Sequence, residues 1–257
     1  MHVEEPRFPP LINGHAIKAP ARPFAVACRG VSTGSYAAAD LLYARDTSRI
    51  EMALVLEPDV LRQRSLEMLP LFELAVIEAL GALMPPQTAV QLRWPDKLLV
   101  NGAVAGQFRF AVASSGADQV PDWLVLAVTI ALVPVDDERE PGLTRDETTL
   151  RAEGAGDMTR SDLLESIASY FLSRLDTWQE HALRGLHDDW LGRVEGCGEP
   201  AAIAQAADSG GKLVGRVLGL DEDLNLLVKV RDNDVRALPI TAALEDQGSS
   251  ASEAQTR

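Results

Sequence analysis

The sequence predicts an α+β fold, a mixed β-sheet packed by helices with a small SH3-like β-module near the C-terminal end. Three observations carry this. Asn101-Gly102 stands between two apolar runs in "KLLVNGAVAGQFRFAVA", the strongest short-range hairpin signal a sequence offers. Between Leu61 and Leu83, and again from Leu164 to Trp178, apolar residues recur at three and four, the spacing of amphipathic helices facing a core. Beyond residue 210, "KLVGRVLGLDEDLNLLVKVRDNDVRALPI" reads as three short strands with turns at Asp221 to Asp223 and Asp232 to Asp234.

The elements follow in order. Residues 1–23 hold five prolines and little periodicity, and are expected to form an extended lead-in clamped to the domain through Phe8 and Leu11. "FAVACRGV" at 24–31 suggests a short helix ended by glycine. "DLLYA" (40–44) and "IEMALVLEP" (50–58) read as strands joined by the few polar residues Arg45 to Arg49, hence a hairpin. The helix opened at Leu61 stops near Gly81 and Pro85-Pro86. "AVQLRW" precedes the Asn-Gly hairpin, and "DWLVLAVTIALVP" (122–134), apolar on both alternating faces, is expected as a central strand.

An acidic loop, "VDDEREPGLTRDET", comes next and reads as a solvated connection. Ser161 with Glu165 offers a cap for a long helix, and a shorter helix is expected around Trp190. The predicted division is an extended segment at 1–23, a main domain at 24–195, a linker at 196–210, a small β-domain at 211–244 and a disordered tail at 245–257.

Composition narrows the function classes. A net charge of −14 opposes binding to a phosphate backbone, which needs clustered cations to displace counterions. Two cysteines, Cys28 and Cys197, suggest neither a disulfide framework nor a zinc site, and fit a reducing cytoplasm. The N-terminus "MHVEEPRFPPL" lacks the basic end and apolar run of a signal peptide, and no segment reaches the ~18 apolar residues of a membrane span. A soluble, cytoplasmic protein is expected, with no nucleic-acid or membrane partner.

The strand, helix, "RWP…NG…AG" hairpin, core strand, helix and β-module order over about residues 24–240 resembles the biotin/lipoate A/B protein ligase family. The "FPPL" start and "VPDWLV" strand resemble a divergent biotin protein ligase-like branch of unknown function. Active members carry Lys-Trp-Pro-Asn-Asp, a turn, then Lys-x-Ala-Gly. Here the run is Arg93-Trp94-Pro95-Asp96-Lys97, then Asn101-Gly102-Ala103-Val104-Ala105-Gly106. The resemblance implies biotin or lipoate with ATP and Mg as ligands, an acyl-adenylate intermediate, and transfer to a lysine of a carrier domain. It also implies exposed sheet edges that would suit a homodimer.

The chemistry departs from the family's. Joining a carboxylate to a phosphate needs a fixed cation and oriented donors. The hairpin lysine that supplies the cation falls on Ala103. The Gly/Arg-rich loop falls on Arg45 to Arg49, too short to cover a nucleotide, and the Gly-x-Gly-x-Asn element falls on Ala127 to Ala131.

Replacement cations are sought nearby. Side chains alternate along a strand, so Ala103, Ala105, Gln107 and Arg109 are expected on one face. Arg109, a guanidinium on an apolar strand, is the leading candidate to hold a carboxylate bidentately; pairing with Asp122 or Asp118, or snorkelling from an edge, is the bland alternative. Lys97 follows, either approaching an anion or lying at the surface. Arg93, Trp94, Asp96, Ala105, Gly106 and Gln107 complete the expected ligand-binding set, with Trp94 either a pocket wall or a core residue.

Cys28 reads as core rather than nucleophile. His181 and His187 do not share a helical face, and no metal site is expected. Two function classes remain: a divergent biotin/lipoate ligase or acyltransferase binding a small carboxylic acid, and a pseudoenzyme that binds the carrier domain or serves as scaffold. A deep apolar slot ending at Gln107 and Arg109 would favour the first, and side chains filling it the second.

Overall fold

The computed structural model describes residues 5–116, 118–134, 146–181, 186–204, 211–231 and 234–240. In chain order these form β1 (Asn13–Ile17), α1 (Pro23–Ser32), β2 (Asp40–Ala44), β3 (Arg49–Leu56), α2 (Arg62–Ser65), α3 (Met68–Leu83), β4 (Val90–Arg93), β5 (Lys97–Val100) and β6 (Ala103–Val112). Then follow β7 (Leu124–Ala131), α4 (Arg160–His181), α5 (Leu186–Leu191), β8 (Ala201–Ala204), β9 (Lys212–Leu220), β10 (Leu226–Arg231) and β11 (Asp234–Leu238).

A seven-stranded sheet runs β1-β2-β3-β7-β6-β5-β4, antiparallel throughout except for the parallel β1–β2 pair. The expected hairpins are present: β2 pairs β3, and β5 turns into β6 through Asn101 and Gly102, both at positive φ. Asparagine and glycine reach that conformation at least cost, which is why this dipeptide fixes the turn. Apolar on both sides, β7 lies between β3 and β6 with nearly all its residues buried.

One face of the sheet meets α3 and α4, and Phe72 of α3 packs edge-on against Phe108 of β6 and Phe171 of α4. The other face carries a smaller apolar cluster in which Phe24 and Ala27 of α1 rest on Leu42, Ala53, Val55, Val125 and Ala127. Arg109 of the expected site lies on this face, against the Phe24 ring.

Four expectations are corrected. The lead-in contains β1, and its anchors are Phe8, 5.6 Å from the Tyr43 ring, and buried Ile12, whereas Leu11 is 71% exposed because a turn closed by Ile12 N–H to Pro9 O points it outward. The helix from Leu61 is interrupted between Ser65 and Met68. Pro70 cannot donate to Leu66 O, and the Ser65 hydroxyl bonds back to Val60 and Leu61 carbonyls, so the chain turns before the long helix begins.

The cap of α4 is Thr159, not Ser161: Thr159 N–H and hydroxyl donate to Asp162 while Asp162 N–H donates to Thr159 Oγ1, a reciprocal capping box two residues earlier. Glu165 instead accepts the Arg7 N–H. Finally, β8 falls inside the stretch read as linker and pairs antiparallel with β9, giving a four-stranded sheet ordered β11-β10-β9-β8. Its inner face, with Ile203, Val217, Leu226, Val228 and Leu238, joins the main core. The acidic run Asp136 to Glu140, the Asp232 end of the last turn and the tail at 245–257 lie outside the described residues.

Candidate functional site

The hairpin decides the site through a β-bulge. Leu98 pairs with Gly106 and Leu99 with Val104, so Ala105 is an extra residue in β6. One extra residue inverts the alternation beyond it. Ala105 belongs to the helix-packed core, and Ala103, opposite core residue Val100, lies on that same side; Gln107 and Arg109 lie on the other. The expected single face for Ala103, Ala105, Gln107 and Arg109 is therefore overturned. Gly106 is needed because a Cβ there would stand 2.5 Å from the Thr129 carbonyl oxygen.

On the α1 side a polar row crosses five strands by register: Arg93 opposite Lys97, Lys97 opposite Gln107, Gln107 opposite Thr129, Thr129 opposite Glu51. Arg93 donates to Glu195 through two bonds of 2.6 and 3.0 Å, so its charge is already committed and its guanidinium is held more firmly protonated than usual. Lys97 Nζ lies 3.3 Å from Asp96 Oδ2, and Gln107 Nε2 donates to the same oxygen at 2.5 Å. Asp96 is buried, and its carboxylate organises this end of the row.

At the far end the buried Glu51 carboxylate meets Arg49 at 2.9 Å and Arg22 at 3.9 Å. Sequence reasoning missed Glu51, Thr129, Arg49 and Arg22. The signal was present in "RIEMALVL", where an acid interrupts an apolar strand.

Arg109 lies one row along, opposite Ala127, with its guanidinium carbon 5.1 Å from the centre of the Phe24 ring. Neither Asp118 nor Asp122 pairs with it, and among the described residues it meets no carboxylate. Cys28 sits close enough that Arg109 pulls its thiol pKa downward, but burial dominates and raises it to about 11. Such a thiol is inert at neutral pH. Trp94 is 6% exposed inside the main core, so it packs there rather than walling this face.

The α1-side floor near Arg109 includes the small residues Ala53, Ala111 and Ala127, and Phe24 and Ala27 of α1 pack in the same apolar cluster. The connection between β2 and β3 is four residues long and closed on itself, with Ser48 N–H and hydroxyl both donating to Asp46 Oδ1 at 2.8 and 2.7 Å. Two crevices among the described residues lie elsewhere, one of about 160 Å³ against Pro70, Leu186, Trp190 and Leu224, one of about 430 Å³ around Glu78, Tyr170 and Arg193. His187 bonds Asp188 and accepts the Leu220 N–H, and no cluster of metal-ligating side chains occurs among the described residues.

A family model, the biotin/lipoate A/B protein ligase family, matches residues 8–192. The chain belongs to this family. A biotin protein ligase-like protein of unknown function from Silicibacter sp. TM1040 is 36% identical, with 93% of this chain and 99% of that one covered and a TM-score of 0.80. The biotin protein ligase of Aquifex aeolicus, solved with biotin and ATP, shares the fold at 17% identity, with 87% of this chain and 94% of that one covered and a TM-score of 0.61.

The bifunctional ligase/repressor BirA of Bacillus spizizenii is 23% identical over 194 residues, 74% of this chain; the match spans 56% of that protein's length. The biotin/lipoate ligase fold thus extends across the main sheet. No helix among the described residues is long and apolar enough to cross a membrane.

Proposed function

We propose that this ligase-family chain binds a small carboxylic acid of the biotin, lipoate or octanoate kind on the α1-side face of β5, β6 and β7, with a degenerate adenylate site. The observation that carries this reading is Arg109, a half-buried guanidinium that meets no carboxylate among the described residues. A charge withdrawn from water seeks an anion, and a planar guanidinium beside an aromatic ring suits a carboxylate on an apolar tail. Lys97 stands across Gln107 as the second cation, although Asp96 already shares it.

The residues present do not fit ATP with Mg in the way the resemblance implies. Ala103 offers no charge, the connection at 45–48 is too short and too self-bonded to fold over a nucleotide, and Thr129 stands where the resemblance places a glycine. No ATP-dependent step is assigned to this site, and transfer of the acid to a carrier-domain lysine would need activation from elsewhere.

A second reading, a scaffold that binds a carrier domain without ligand chemistry, is favoured by one observation: Phe24 and Ala27 fill the apolar floor. Calorimetric and thermal-shift titration with biotin, lipoate and octanoate, with and without ATP-Mg, separates the two. The expected result is saturable binding of one acid, indifferent to ATP and weakened about tenfold or more in Arg109→Ala. Enhancement by ATP would overturn the degenerate adenylate site, and no acid binding at all would leave the scaffold.

A further inference from the structure

At the β4 edge of the main sheet a crevice of about 430 Å³ opens between α3, α4 and the chain leaving α5, with Glu78, Gly81, Thr88, Val90, Tyr170 and Arg193 in its walls. Its polar groups have nothing to bind. Beyond β4, Leu92 N–H donates to Arg193 O at 2.8 Å and Leu92 O accepts Glu195 N–H at 2.7 Å, so the Leu92 backbone groups point off the sheet. Backbone groups of an antiparallel strand point alternately towards the partner and away from it, which sends the Val90 N–H and C=O off the same free edge. Asn101 N–H donating to Ala89 O on the inner side fits that alternation. Among the described residues no group meets the Val90 N–H or C=O, although Val90 is only 5% exposed. Backbone amides withdrawn from water are nearly always paired.

The side chains repeat the pattern. The Arg193 guanidinium and the Thr88 and Tyr170 hydroxyls have no hydrogen-bond or ion-pair partner among the described residues. The neighbouring acids are committed: Glu78 accepts two bonds from Arg174, Asp189 accepts a third from it at 2.7 Å, and Glu195 is held by Arg93. The floor is open as well. Gly81 sits within α3, where glycine costs helix stability relative to alanine, yet a Cβ there would meet nothing within 4 Å. The packing of the chain itself does not require that glycine, whereas an occupant pressed against the helix would.

We infer that this crevice binds a small organic monocarboxylate, its carboxylate taken by the Arg193 guanidinium and the Val90 N–H, its apolar body laid over Gly81 and Ala82 against Ile77. A guanidinium, two hydroxyls and a free amide beside apolar walls call for an anion that carries a hydrocarbon part. Two carboxylates share Arg174, which leaves Arg193 as the uncommitted cation of the crevice, and it balances a single negative charge. A phosphate dianion would leave charge stranded beside Glu78. The crevice lies on the α3 and α4 side of the sheet and Arg109 on the α1 side, so the two sites stand or fall separately.

The test uses the full chain and hexanoate, with hexanol and hexyl phosphate as comparisons, followed by calorimetry and by the backbone amide signal of Val90. The expected result is saturable hexanoate binding that shifts the Val90 amide, weakens about tenfold or more in Arg193→Gln and in Gly81→Leu, and still shifts that amide in Arg109→Ala. Gly81→Leu puts a better helix former into open space, so it is expected to melt no lower than the wild type, which separates lost binding from lost folding. Failure of acid binding at Arg109 leaves these expectations unchanged. Hexanol bound as well as hexanoate, tighter binding of hexyl phosphate, equal binding by Arg193→Gln, or no shift at Val90 would overturn the proposal.

Discussion

Trp190 Nε1 donates a 2.7 Å hydrogen bond to Glu73 Oε2, and both residues are buried where α5 meets α3. A parallel pair, Trp178 Nε1 to Glu67 Oε2 at 2.5 Å, ties α4 to the start of α3. Each indole satisfies a carboxyl group that the apolar helix "MLPLFELAVIEALGAL" and its preceding turn would otherwise leave stranded.

Burial pushes Glu73 up from its ordinary 4.5 to about 8; the Trp190 bond opposes the rise and nearby Asp96 adds to it. Between those values the folded protein holds a proton that the unfolded chain releases. Stability from this group is therefore full below about 4.5 and is lost as pH rises towards 8. Glu73→Gln, neutral at every pH and still able to accept from Trp190, is expected to flatten that loss, worth on the order of a few kcal/mol. Urea unfolding at several pH values across the window checks it, and an unchanged slope would refute the assignment.

The bulge predicts a contrast between two glycines. At Gly106 a Cβ meets the Thr129 backbone oxygen at 2.5 Å, and backbone in the middle of a sheet cannot step aside. Gly106→Ala is expected to cost about 1–3 kcal/mol. At Gly102 the space is open and only the φ of +84° opposes a side chain, so Gly102→Ala is expected to cost roughly 1–2 kcal/mol. Denaturation midpoints of both variants, with strand register followed by amide exchange around Ala105, decide the matter; a register change is expected only for Gly106→Ala.

Cys28 of α1, its thiol pushed up to about 11 by burial, should resist thiol reagents. With Cys197 replaced by serine, labelling by a disulfide reagent at pH 8 is expected to run about a hundredfold slower than for an ordinary thiol, in proportion to the thiolate present. Labelling should accelerate on unfolding. Fast labelling of the native variant would mean that α1 does not stay seated on the sheet.

Arg93 and Glu195 join β4 to the chain just beyond α5 with two bonds, yet both side chains remain about one-third exposed, 35% and 32%. Solvent screening limits the pair to about 1 kcal/mol. A double-mutant cycle with Arg93→Ala and Glu195→Ala is expected to give a coupling of that size that shrinks in high salt. A salt-independent coupling of several kcal/mol would show that the pair is sealed from water.

Much of the fold was readable because it rests on local chemistry. Asn101-Gly102 gives the turn, the apolar spacing gives α3 and α4, and the doubly apolar run gives β7 its place between β3 and β6. What escaped was weak locally and decided by pairing. β1 follows prolines and has no alternation, and it exists because β2 offers it a parallel edge. "AAIA" has only Ile203 to mark it as β8, and it exists because β9 accepts it.

The candidate site divides in the same manner. That position 103 is an uncharged alanine and that Arg109 is odd on an apolar strand could be read from residue types. Which face Arg109 took could not, because one extra residue at Ala105 inverts everything after it and a bulge leaves no reliable mark in the residues themselves. Glu51 joined the polar row only when β3 was laid beside β7 in register.

By itself, then, the sequence determined the class of fold, the Asn-Gly hairpin, the long helices and the excess of acidic residues, since each depends on near neighbours or on totals. Only the tertiary structure decided that Gln107 and Arg109 turn away from Ala103, that Phe24 and Ala27 occupy the floor beneath α1, and that Val90 and Arg193 line one crevice at the sheet edge. These are relations between strands distant along the chain, fixed by hydrogen-bond register and packing, to which no local window of residues has access.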